Sequence, residues 1–142
     1  MTVDEQRQMT LREIEQQIRE IRQRQEVSFG YLASKGLFCN SVYHVERSEN
    51  YSFSTLFKYV YYLKARIQAD GQEVSSIEEL GALLHAKRVA AGHSLHSMAE
   101  ATKLSERQVI NIEKGRGYTK TNLEKYLSEI TVTFNITELI YG

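Results

Sequence analysis

The chain has 142 residues, and its 18 Lys plus Arg are balanced by 18 Asp plus Glu, for a formal net charge of zero. That length holds one domain or two small ones. No apolar run approaches the roughly eighteen to twenty residues of a membrane span. The charged, glutamine-rich N-terminus is unlike a secretory signal, and the single cysteine, Cys39, cannot close an internal disulfide. The expectation is a cytoplasmic protein with no membrane partner. With zero net charge, attraction to phosphate needs a local excess of cations.

The first predicted element is a helix over 11–24. Thr10 and Glu13 have the spacing of a capping box at its start. Leu11, Ile14, Ile18 and Ile21 recur at helical spacing and form one apolar stripe. Gln16, Gln17, Arg19, Glu20 and Arg22 make the solvated face. The stripe spans about three turns, short of what argues for a coiled coil.

The chain then repeats itself. Thr10, Glu13, Ile14, Ile18 and Arg22 match Ser76, Glu79, Leu80, Leu84 and Arg88 at a spacing of 66, as Ser28, Leu32 and Ala33 match Ser94, Met98 and Ala99. At a spacing of 67, Leu37, Val42, Val45, Glu46, Leu56, Val60 and Leu63 match Leu104, Val109, Ile112, Glu113, Leu123, Leu127 and Ile130. Tyr51 and Tyr59 meet Tyr118 and Tyr126 at the same spacing. The missing residue is placed in the turn after Ala33, where Gly36 accepts a left-handed conformation at no steric cost. In the first copy Phe38 stands where Ser105 caps the second, so the cap is expected to shift to Asn40, and Ser48 replaces Gly115. Tyr59, Tyr61 and Tyr62 read as core plus an exposed surface suited to a protein interface. Residues 68–75, with Asp70-Gly71 as a turn pair, read as a linker. The expected division is 1–67, the linker 68–75, and 76–142.

In the second copy Ser94 suits the cap of a short helix carrying Met98 and Ala99. Leu104 restarts the chain, and Ser105 suits the cap of a second short helix carrying Val109 and Ile112. Two short helices joined by a tight turn are the plan of a helix-turn-helix. After Ile130 the tail reads as a strand-like stretch and a last helical turn, with Phe134, Ile136, Leu139 and Ile140 covering the second core. His85, His93 and His96 lack the cysteine or paired carboxylates that complete a metal site. No nucleophile, base and orienter share a recognisable spacing. Neither an enzyme nor a cofactor is expected.

Ala99, Leu104, Val109 and the ending Ile112-Glu113-Lys114-Gly115 resemble the Cro and lambda repressor family of helix-turn-helix proteins, also called the XRE type. Leu80, Leu84 and Arg88 resemble that family's opening helix, and Leu123, Leu127 and Ile130 a later one. Lys103 and Leu95 depart from it, at positions the family often fills with glycine and glutamine. The resemblance implies an all-α protein of two tandem lambda repressor-like bundles, four to five helices each, the first degenerate. It implies a transcriptional regulator whose partner is double-stranded DNA. Base contacts would come from Glu106, Arg107, Gln108 and Asn111 in the second copy, and from Asn40 and His44, beside Cys39, in the first. Arginine suits guanine and asparagine suits adenine. Phosphate contacts would come from Lys114, Arg116, Tyr118, Thr119 and Lys120, and from Arg47, Tyr51 and Ser52. Between Lys103 and Lys125 six basic residues face three acidic ones, a modest local excess. The rival reading is an antitoxin-like, antirepressor-like or dimerisation module, whose first copy serves a homodimer or protein partner. Zero net charge and the first copy's missing cap and glycine favour it.

Overall fold

The computed structural model describes residues 3–37 and 39–139, with side chains from Leu11 onward except that of Cys39. The expectations placed on Phe38, on the Cys39 side chain and on Ile140 lie outside the described residues. The first half contains α1 (Val3–Arg24), α2 (Phe29–Ser34), α3 (Cys39–Glu46) and α4 (Ser54–Tyr62). A hairpin of β1 (Ala65–Ala69) and β2 (Gln72–Val74) follows. The second half contains α5 (Ile77–Ala90), α6 (Leu95–Thr102), α7 (Glu106–Lys114), α8 (Lys120–Leu127) and β3 (Phe134–Glu138). Among the described residues no helix is long and apolar enough to cross a membrane.

The all-α expectation, with two helical bundles, is overturned by the three-stranded antiparallel sheet, ordered β2-β1-β3. Its physical origin is local. Asp70 (φ 50°) and Gly71 (φ 81°) both take positive φ, as a two-residue turn matched to strand twist requires. The flanking segment Ala65-Arg66-Ile67-Gln68-Ala69 alternates buried and half-buried residues, the period of a strand. The stretch read as a linker is therefore the hairpin itself. From the tail, β3 pairs with β1 from Ala65↔Glu138 to Ala69↔Phe134. Its outer edge meets α1, where the Ile136 N–H donates to Gln17 Oε1 at 3.3 Å. Helix α1 begins at Val3, so Thr10 lies inside it and does not cap it.

The sheet also reveals how the halves are related. β1 and β3 pair Ile67 with Ile136 and Ala69 with Phe134. Shifting by 67 turns each of these pairs into the other, so the ladder is symmetric about Gln68↔Asn135. A second symmetric contact joins Ser52 to Thr119 as an antiparallel bridge. There the Phe53 N–H donates to the Tyr118 carbonyl and the Lys120 N–H to the Tyr51 carbonyl, each at 2.9 Å. These two bonds also exchange under the shift of 67. A pseudo-twofold axis thus runs through both contacts, and the halves meet as the subunits of an isologous dimer would. One buried core, from Leu11 to Phe134, spans both halves.

Candidate nucleic-acid interface

The pair α6–α7 owes its shape to three local devices. Ser94 Oγ accepts from the Ser97 N–H at 3.1 Å and starts α6. Lys103 closes it in the left-handed region at φ 61°, the conformation that a glycine would supply there at lower cost. Ser105 then starts α7 with a full capping box: the Gln108 N–H donates to Ser105 Oγ and the Ser105 N–H to Gln108 Oε1. Leu104 is buried in the turn, with Val109 and Ile112 on the inner face of α7. Gly115 ends the helix at φ +68°, where a Cβ would come within 2.7 Å of the Glu78 backbone.

A buried polar triad locks the rear of α7. Glu113 accepts from Arg88 Nε at 2.7 Å and from the Tyr126 hydroxyl at 2.7 Å, tying α7 to α5 and α8. Burial alone would raise the Glu113 carboxyl; the bonds from Arg88, Tyr126 and His85 more than offset it and hold it below its ordinary range. The first half repeats the device. Glu46 accepts from Arg22 Nε at 2.5 Å and from the Tyr59 hydroxyl, across α3, α1 and α4. Arg22 and Arg88 also each donate to a carbonyl just before the next helix, Val27 and His93. The triads coincide residue for residue under the repeat.

In front of this lock, Glu106, Arg107 and Gln108 are exposed and Asn111 is half-buried. Gln108 uses its carboxamide oxygen to accept from the Ser105 N–H in the cap, which leaves its NH2 group to donate outward. Glu106 lies 3.7 Å from His96, which also meets Glu100 at 3.0 Å. Lys103, Arg107, Lys114 and Arg116 are exposed and have no carboxylate partner among the described residues. Around α7 these four cations meet no carboxylate among the described residues, while Glu100 and Glu106 face His96.

Three of the eight residues expected at phosphate are interior. Tyr118 and Lys120 are 5% exposed and Tyr51 is 6% exposed. Lys120 Nζ reaches the Glu15 carboxylate at 2.8 Å, and Tyr51 donates to Glu15 Oε2 at 2.7 Å. They are buried because the pseudo-twofold contact runs through this segment, which one repeat read in isolation would leave on the surface. Thr119 is half-buried and caps α8, its hydroxyl accepting from the Asn122 N–H at 3.4 Å. Lys114, Arg116, Arg47 and Ser52 stay exposed.

In the first half Asn40 and His44 are exposed, and His44 lies 3.3 Å from Glu49. The sequence reading passed over Tyr43 of α3, which is 41% exposed and carries the Arg47 guanidinium 4.2 Å above its ring. Its counterpart Ile110 has no such partner, and the Tyr43-x-x-x-Arg47 spacing was the available signal. Of the cluster read as core plus exposed surface, Tyr59 is fully buried, whereas Tyr61 is 63% exposed. Among the described residues no group of three or more His, Cys, Asp or Glu is placed to hold a metal ion. Compared with known proteins, the chain matches no family model, no curated protein and no solved structure.

Proposed function

We propose that this protein is a cytoplasmic, sequence-specific regulator of transcription that reads double-stranded DNA with α7, and with α3 as its counterpart in the other half. The observation that carries the reading is the outer face of α7, with Arg107 and Asn111 flanked by cations that have no carboxylate partner among the described residues. These side chains suit the two-bond recognition of guanine and adenine, and Lys114 and Arg116 suit phosphate. The pseudo-twofold axis supports a stronger form. The segment after each of α3 and α7 lies at this axis, so one chain occupies the role that two chains take in a repressor dimer. Its site is then an inverted repeat, and an imperfect one, because Asn40 and His44 differ from Arg107 and Asn111.

The test is selection of sites from random duplex DNA, followed by affinity across a salt series. The expected outcome is two inverted, unlike half-sites and a steep fall of affinity with salt. Arg107→Ala should cost about 1–3 kcal/mol and relax preference at one base pair. Absence of enrichment, or an Arg107→Ala protein of unchanged affinity and preference, overturns the assignment of α7. A second reading, in which the first half docks a protein partner, is favoured by Tyr31 at 46% and Tyr43 at 41% exposure. Enrichment of one half-site only, with a dimer in gel filtration that Tyr43→Ser abolishes, would select it.

A further inference from the structure

The repeat supplies its own control for which surface residues the fold requires. Each half has a groove between its fourth helix, the turn before its third helix, and the first helix of the other half. Beside α8 the groove has a volume of about 560 Å³ and includes Glu124, Lys125, Ser128 and Glu129. Beside α4 it measures about 440 Å³, and the matching positions are Phe57, Lys58, Tyr61 and Tyr62. Helix α8 holds its place with acids and a serine there. The fold therefore does not demand three aromatic rings along the outer stripe of α4. Phe57 and Tyr62 are half-buried and only border the core, and Tyr61 is 63% exposed.

We propose that the α4 groove is a binding site for a small ligand with a flat apolar body and an anionic group, such as an aromatic carboxylate. Its volume lies within the range of small-molecule sites, which pair apolar walls with a few polar groups. Phe57 and Tyr62 form walls, and Tyr61 meets Tyr62 edge-on at 5.4 Å between ring centres. Ile77 and Leu37 close the far side. Charge selects the anion. Lys35 and Lys58 border the groove against one acid, Glu78, whereas the α8 groove sets two lysines against two glutamates. Lys58 is exposed and meets no carboxylate among the described residues. Lys35 lies 5.5 Å from the Tyr31 ring centre and forms no ion pair among the described residues. The cations thus have charge to offer and the rings have surface to cover. The site is independent of DNA recognition.

The test is titration of the full chain with 1-naphthoate and with the uncharged 1-naphthalenemethanol, followed by calorimetry and by tyrosine fluorescence. Wild type should bind one naphthoate per chain, more tightly than the alcohol. Tyr61→Ser/Tyr62→Glu, which installs the residues found on α8, should weaken naphthoate about tenfold or more. Lys35→Gln/Lys58→Gln, at exposed positions where the fold should be kept, should weaken naphthoate and leave the alcohol unchanged. No saturable binding, or binding that both double variants retain, overturns the site. Equal affinity for acid and alcohol overturns the anionic class. Self-association through this face, lost in Tyr61→Ser and indifferent to naphthoate, overturns the small-ligand occupant in favour of a second copy of the chain.

Discussion

Glu15 is a point at which a single change should cost much of the stability. Its carboxylate is nearly inaccessible and accepts from Ser48 Oγ at 2.6 Å, from Tyr51 at 2.7 Å and from Lys120 Nζ at 2.8 Å. Removing one member of a buried ion pair costs about 3–5 kcal/mol, because the other charge is left uncompensated. Glu15→Gln leaves Lys120 with the Ser48 carbonyl at 3.1 Å and Ser48 Oγ at 2.9 Å, which places its cost near the lower end, about 3 kcal/mol. Lys120→Met leaves the carboxylate two hydroxyl donors and should cost about the same. The double variant strands no charge. It should cost no more than about 3 kcal/mol, a coupling of about 3 kcal/mol between the two sites. Urea unfolding at neutral pH, followed by circular dichroism, measures all four corners of the cycle. Costs that simply add, or single variants that each lose less than about 1 kcal/mol, would refute the view that this pair joins the halves.

Gly81→Ala should destabilise by about 3 kcal/mol or more in thermal unfolding, because a Cβ there would lie 2.3 Å from the Glu113 carbonyl oxygen and push α5 off α7. Tyr118→Phe should leave stability unchanged or raise it by about 1 kcal/mol, since the Tyr118 hydroxyl is buried with no hydrogen-bond partner among the described residues; a loss above about 1 kcal/mol would contradict this. The Glu113 carboxyl is held below its ordinary value of 4.5. Its contribution is therefore present above about pH 4.5 and is lost as pH falls through the lower, folded value. Urea midpoints from pH 6 to 3 should fall less steeply in Glu113→Gln than in wild type. Burial holds the Tyr51, Tyr59, Tyr118 and Tyr126 phenols above their ordinary value of 10.0. The stability they contribute is present below about pH 10 and is lost as pH rises beyond it, so alkaline unfolding should start there, as read by tyrosine absorbance and dichroism.

Much of the helical framework was legible because it is locally encoded. Ser94 and Ser105 cap as their spacing implies, and the buried stripes of α1 and α7 follow helical periodicity. The repeat was legible as matched apolar positions, although the Arg–Glu–Tyr triads hidden among them were not recognised. Side-chain pairing across three helices leaves no periodic mark. The sheet was missed differently. Asp70-Gly71 between Ile67 and Val74 is a hairpin signal, but five residues of alternation were outweighed by polar composition. The tail was legible as strand-like, as β3 is, but its pairing with β1, more than sixty residues away, has no local signal. Tyr51, Tyr118 and Lys120 were misplaced because their burial depends on the other half.

The pseudo-twofold contact also bears on how this surface can change. In a dimer of identical chains every substitution near the axis occurs twice, and an acid introduced there adds a like charge on the other side. A single chain escapes that constraint. Glu15 corresponds to Gly81, and Lys120 to Phe53, so the acid and its cation each occur once. The mirrored position is filled by a close helix contact and by Phe53, whose ring lies nearly parallel to Tyr51 and Tyr118 at 6.1 Å and 5.9 Å. Each half is thereby free to specialise, one side keyed by charge and the other by shape, and neither can be exchanged for a second copy of its neighbour.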